Sequence, residues 1–188
     1  MRKPVESSEP IHPVLAERWS PRSFTSGSSI SQQDLNGILE AARWAPSSNN
    51  LQPWKYLVTH HGDDRFAAVV ATLAGFNQEW APSASALIVA CAEVVNEDGS
   101  PRTSALYDLG LSVGFMTVEA HHRNLVVHQI GGFDREALAA HFGLADSVKP
   151  VVVIAVGKQA PSSDLKSDVL KQREESPRSR KSLGEITL

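Results

Sequence analysis

Arg18, Ser20 and Arg22 fall within five residues in the segment ERWSPRSF. Two guanidiniums and a hydroxyl at that spacing can grip a phosphate, because Arg presents paired donors to anionic oxygens. The same residues in isolation also suit a solvated turn. Further on, APSSNNLQPW gathers Pro46, Ser47, Ser48, Asn50 and Gln52 in one connection. Their amides and hydroxyls can address a planar heteroaromatic ring, with Pro46 and Pro53 stiffening the loop. A helix C terminus followed by Asx-type turns uses the same residue types. HQIGGF ends in Gly131-Gly132, which either brings backbone close to a ligand or turns the chain before Asp134. SPRSRKSLGEITL carries a second basic group, Arg178, Arg180 and Lys181, in a stretch whose composition reads as disordered on its own.

Other chemistries are missing. The sequence has no GxSxG elbow, no P-loop, no HExxH and no full GxGxxG after a strand. The seven histidines show no metal-ligand spacing, and His121, His122 and His128 read as polar surface near a helix end. Cys91 is an inert core residue of an apolar strand, and as the single cysteine it leaves no intrachain disulfide or cysteine-rich zinc site. The acid pairs Asp63-Asp64 and Glu174-Glu175 read as solvated surface. These residues do not point to a hydrolase.

The elements that must position such groups follow from periodicity. Residues 1–14 are polar and extended, and a short helix covers Pro13 to Arg18. Ser31 caps a second helix, with Leu35, Ile38, Leu39 and Ala42 at helical spacing and Pro46 as its stop. WKYLVTH is a strand, residues 63–74 a helix, and residues 85–95 a buried strand. A long helix runs from about Ser104 to Asn124, with Gly110 and Gly114 wanting a closely packed partner. LVVHQI is a strand, DREALAAHF a helix between Asp134 and Gly143, and KPVVVIAVGK a central strand. GEITL suits a short closing strand. Helices and strands mix without strict βαβ repetition, so the expected class is α+β in a single domain, 1–188.

Bulk properties agree with an ordinary globular chain. Its 188 residues are 41% hydrophobic and 21% charged, and a net charge of −3 argues against nucleic-acid binding by bulk electrostatics. No apolar run approaches the roughly 20 residues that span a bilayer. MRKPVESSEP lacks the apolar core of a signal peptide. A cytoplasmic setting is expected.

Taken in order, the clusters resemble the nitroreductase family of FMN-dependent oxidoreductases. APSSNNLQPW is the most specific match, supported by RWSPRSF, FNQEWAPSASALIVACA, IGGFD and RSRKSLGEIT. The resemblance implies an α+β sandwich with a mixed central sheet, an intertwined homodimer and two FMN sites at the subunit interface. Residues 160–188 would form an extension crossing to the partner subunit. The family's roles place Arg18 and Ser20, with Trp19 between them, at the phosphate together with Arg178 and Arg180. They place Arg22 at the flavin N1/O2 edge, where a fixed cation favours the reduced form. Pro46, Ser47, Ser48, Asn50 and Gln52 would line the ribityl chain and ring, and Asn77 the pyrimidine edge. The backbone of Ile130, Gly131 and Gly132 would approach N5 and O4.

The implied activity is ping-pong hydride transfer from NADH or NADPH to nitroaromatics, quinones or free flavins, with no catalytic protein nucleophile. Two departures stand out. The span from 92 to 107 is too short for the helical excursion that covers the site in many family members. Trp80 stands where several members carry a lysine near flavin or nicotinamide; it is either a core anchor or an obstacle to the nicotinamide. The competing expectations are a flavin-storing or sensing module with little turnover and a non-flavin anion-binding domain.

Overall fold

The computed structural model describes Lys3, Val5 and residues 7–188. The expectation of an extended N-terminal segment therefore falls partly on Met1, Arg2, Pro4 and Glu6, which lie outside the described residues. Helix α1 spans Pro13–Glu17 and α2 spans Gln32–Arg43, the latter capped by Ser31, whose hydroxyl accepts from the Asp34 N–H. Strand β1, Trp54–His60, is followed by α3, Asp64–Thr72, and by the short α4, Asn77–Trp80. Then come β2, Ala86–Glu93; α5, Ala105–His122; β3, Val126–Ile130; and α6, Arg135–Phe142, closed by a left-handed Gly143. Strand β4, Val148–Gly157, leads into α7, Asp168–Glu175, and α8, Leu183–Ile186.

The four strands form one sheet in the order β1-β2-β4-β3, with every neighbouring pair antiparallel. The class is α+β as expected, but the sheet is antiparallel rather than mixed. Neighbours β1 and β2, and β3 and β4, run in opposite directions although helices intervene, so no parallel crossover arises. GEITL is likewise not a strand. It lies on α8, where Ser182 and Glu185 form a capping box, a local stabilisation for a segment with no neighbouring strand in its own chain.

Alternation along the strands sorts side chains into two cores. Leu87, Val89 and Cys91 of β2 join Val153 and Ala155 of β4 on one face, against Phe66 and Val69 of α3, Leu138 of α6 and Leu170 of α7. Ile88, Ala90 and Ala92 join Ile154 and Val156 on the other, against Leu35 and Ile38 of α2 and Leu109, Val113 and Met116 of α5. Both faces of β2 are covered, which is why its sequence reads as a continuous apolar run. Burial holds the Cys91 thiol up at about 11, in keeping with an inert core role.

Helix α5 is apolar on two sides. One side fills the core; the other leaves Leu106, Tyr107 and Phe115 exposed at 58%, 70% and 45%. Gly110 and Gly114 sit on that outer side with open space where a side chain would stand. Among the described residues no helix is long and apolar enough to cross a membrane.

Ile88 is fully buried at the centre of the second core. Ile88→Ala is expected to lower unfolding stability by about 2–5 kcal/mol, read from the midpoint and slope of urea denaturation.

Candidate active site

The first half of the site is built where α1 ends. Arg18 is the residue that closes α1, already extended, with its N–H donated to the Val14 carbonyl. The chain then runs antiparallel to the segment leaving β4: Thr25 N–H donates to Lys158, Ala160 N–H donates to Ser23, and Phe24 bridges Gln159. Helix α7 packs on the same region through buried Leu170. Its last turn releases the chain at Ser176 and Pro177, which aims Arg178 and Arg180 back toward Arg18.

The result is a cavity of about 240 Å³ lined by Arg18, Trp19, Ser20, Arg22, Arg178 and Arg180. Lys3 and Arg173, which sequence reasoning passed over, complete its cationic wall. Arg18 Nη1 reaches Ser20 Oγ at 3.5 Å, and Arg178 Nη1 donates to the Ala16 carbonyl at 2.5 Å. Burial, and then repulsion from Arg178 and Arg180, pulls Arg18 below the ordinary arginine range. Burial also lowers Arg22, partly offset by Glu174, and lowers Arg178, to which Arg180 adds. All three remain protonated at neutral pH. A pocket of crowded, half-dry guanidiniums with a hydroxyl is suited to a multiply charged oxyanion.

The basic tail is not the disordered stretch its composition indicates, since α7 anchors the chain just before it and Arg178 donates to the Lys3 and Ala16 carbonyls. Glu174 is not solvated surface either. It is 1% exposed, and its carboxylate accepts from the Arg22 N–H at 2.8 Å and the Ser23 N–H at 3.2 Å. The available signal was its place four residues after Leu170, on the same helical face.

The amide-rich loop forms a separate group. A single turn over Ser48–Asn50 follows α2, and Asn49, Asn50 and Gln52 take φ of 50°, 55° and 47°. Asp108 of α5, 2% exposed, accepts from the Ser48 N–H at 3.2 Å and the Ser104 hydroxyl at 3.1 Å. Gln52 N–H donates to Ser47 Oγ, and the Gln52 amide donates to Asn50. Pro46, Ser48, Asn50 and Gln52 are exposed. None of the loop residues 46–52 lines the cationic cavity of the same chain.

A third group lies at the end of β3. Gly132 C=O accepts from the Ala74 N–H at 2.9 Å and from the Asn77 amide at 3.4 Å, so Asn77 and the Gly-Gly turn lie side by side. A side chain on Gly132 would stand 3.2 Å from the Asn77 amide nitrogen. Ile130 points into the core, which leaves only its backbone to face a ligand. The 92–107 span carries no helix before α5. It folds into a turn closed by the Val95–Pro101 bridge and by an Arg102–Glu93 ion pair at 3.1 Å.

Trp80 is 2% exposed and packs between Phe24 and His128, with ring centroids 6.0 and 4.5 Å away. It is therefore a core anchor. Its Nε1 is the one buried side-chain nitrogen or oxygen without a hydrogen-bond partner among the described residues. His128 is not polar surface: it shares that core, and its Nδ1 lies 2.9 Å from the Pro21 carbonyl.

The family model of the nitroreductase family matches residues 15–158. The chain belongs to the nitroreductase family. A solved oxidoreductase containing FMN superposes with a TM-score of 0.91 at 30% identity, covering 97% of this chain and 93% of that one. The oxygen-insensitive NAD(P)H nitroreductase of Salmonella typhimurium is 26% identical over 77% of this chain and 86% of its own length. YdgI of Bacillus subtilis (strain 168), provisionally named an NAD(P)H nitroreductase, is 27% identical over 78% of this chain and 87% of its own. This chain thus carries the sequence clusters as three groups: cavity, loop and Gly-Gly turn.

Burial, opposed by the hydrogen bond to Pro21, pushes His128 down to about 4. An imidazole protonates near 6.5 when unfolded, so the unfolded chain binds the extra proton first. The His128 contribution to stability is complete above pH about 6.5 and is lost as pH falls toward 4. His128 is expected to show no NMR titration above pH about 5, and His128→Phe should flatten the fall in stability over that window.

Proposed function

We propose that this chain is an FMN-dependent NAD(P)H oxidoreductase acting on electron-poor small molecules such as nitroaromatics, quinones or free flavins. One observation carries the reading: Arg18, Arg22, Arg178 and Arg180, far apart in sequence, converge with Ser20 on one cavity. That donor set fits a phosphate monoester, which bears nearly two negative charges at neutral pH. The FMN-containing structural neighbour supports the same cofactor.

On this reading Arg18, Ser20, Arg178 and Arg180 hold the phosphate, with Trp19 forming part of the cavity wall. Arg22 would hold a positive charge beside the ring, which would favour the reduced form. Asn77 and the backbone of Ile130, Gly131 and Gly132 would supply the polar contacts to the ring's pyrimidine side. Bound flavin supplies two-electron chemistry, taking hydride from NADH or NADPH and delivering it to the acceptor. The protein contributes position and charge and no nucleophile. The burial of Trp80 weakens one ground for a storage or sensing module, because a ring held in the core is not displayed to an incoming nicotinamide.

A homodimer accounts for the separate loop. The exposed outer side of α5, with Gly110 and Gly114 at its centre, suits a second helix at close approach. Leu183, Ile186 and Leu188 at the C terminus are also exposed, and suit docking onto a partner. Pro46, Ser47, Ser48, Asn50 and Gln52 would then complete the site of the other subunit. The short 92–107 turn would leave the flavin face open to varied acceptors.

The pure protein is expected to be yellow, and anaerobic NADH or NADPH should bleach it within seconds; bleaching by dithionite alone would overturn the turnover reading. Arg18→Ala is expected to weaken FMN binding by about 1–3 kcal/mol, measured by fluorescence quenching. Deleting residues 176–188 should release FMN and weaken the dimer, followed by absorbance and light scattering. A truncated protein that stays yellow and dimeric would contradict the role of the tail.

A further inference from the structure

Glu174 does not line the cationic cavity; it lies behind it. Each carboxylate oxygen accepts one of two consecutive backbone N–H groups, Arg22 on Oε2 and Ser23 on Oε1. The donor and acceptor residues Arg22 and Glu174 are 152 positions apart. A carboxylate at 1% exposure is costly to bury, and among the described residues its hydrogen-bond partners are neutral amides rather than a cationic side chain. Its charge nonetheless reaches Arg22 and Lys3, whose protonated forms it favours. Glu174 lies in the last turn of α7, and the residues that follow the helix deliver Arg178 and Arg180.

We propose that Glu174 is a positioning residue for the cofactor site: it fixes the backbone from which Arg22 projects and ties the helix that presents Arg178 and Arg180 to that backbone. The proposal rests on the flavin reading above. It also explains why a negative charge is tolerated beside an anion site. The two effects of that charge have opposite signs. As a counter-charge alone, Glu174 would repel the phosphate and oppose the reduced flavin. As a clamp, it would strengthen both by holding the arginines on target.

The test uses the FMN-loaded protein. Glu174→Gln removes the charge and leaves one good acceptor for two donors. It is expected to raise the Kd for FMN about tenfold or more and to shift the midpoint potential of bound FMN to more negative values. Glu174→Asp keeps the charge but withdraws it by one methylene; it should also weaken FMN. In an Arg22→Ala background, Glu174→Gln should cause no further shift in potential, since Arg22 carries that effect.

Tighter FMN with a more positive potential in Glu174→Gln would make the residue a counter-charge and overturn the proposal. Wild-type affinity in Glu174→Asp, or an undiminished shift in the Arg22→Ala background, would do the same. Loss of the native circular dichroism spectrum in both Glu174 variants would make the residue structural and equally overturn it. If the wild-type protein takes up no FMN, the flavin reading itself fails; if it does and the variants match it, only the role of Glu174 fails.

Discussion

Like charges forced together are the constraint around which this molecule is arranged. Arg18, Arg22, Arg178 and Arg180 share a cavity with Lys3 and Arg173, and several of them are half-buried. Free side chains would move apart, because repulsion strengthens as water is excluded. What prevents it is backbone. The end of α1 fixes Arg18, the pairing of residues 23–25 with 158–160 fixes Arg22, and the buried Leu170 on α7 fixes the tail. Such an arrangement is stable on its own only to the extent that the frame resists; an anion between the charges relieves it.

The sheet supplies that frame. Both of its faces are covered, so β2 and β4 cannot tilt without opening one of the two cores. The polar groups of interest sit at its ends and on connections. Two buried carboxylates perform similar tasks at different places: Glu174 secures the segment after Arg18, and Asp108 secures the loop after α2. In both cases the acceptor comes from a helix and the donor is a backbone amide. Loops that would otherwise shift are thereby fastened to rigid elements.

Much of this was legible in the residues. β1 reads cleanly because WKYLVTH is bounded by Pro53 and Gly62, and α6 because Asp134 and Gly143 mark its ends. The arginines, the Gly-Gly turn and Asn77 were legible by type and order. α7 was not, since Leu170 is its one buried apolar anchor and most of the rest is charged. Glu174 was illegible for a related reason: nothing in a charged pair reveals that two amides elsewhere in the chain lack partners. His128 and Trp80 reached the core through each other, a contact between β3 and α4 that local pattern does not encode. GEITL alternates as a strand would, yet a strand needs a neighbour, and within its own chain the capping box prevails.

The loop of residues 46–52 has a consequence of its own. Asn49, Asn50 and Gln52 hold left-handed backbone, a conformation that asparagine tolerates and glutamine adopts at greater expense. That expense is offset within the chain, by the bond from the Ser48 N–H to Asp108 and the bond from the Gln52 N–H to the Ser47 hydroxyl. A loop fastened in this way has little freedom left to surrender to anything that docks against it. A chain built this way carries a surface cast in advance.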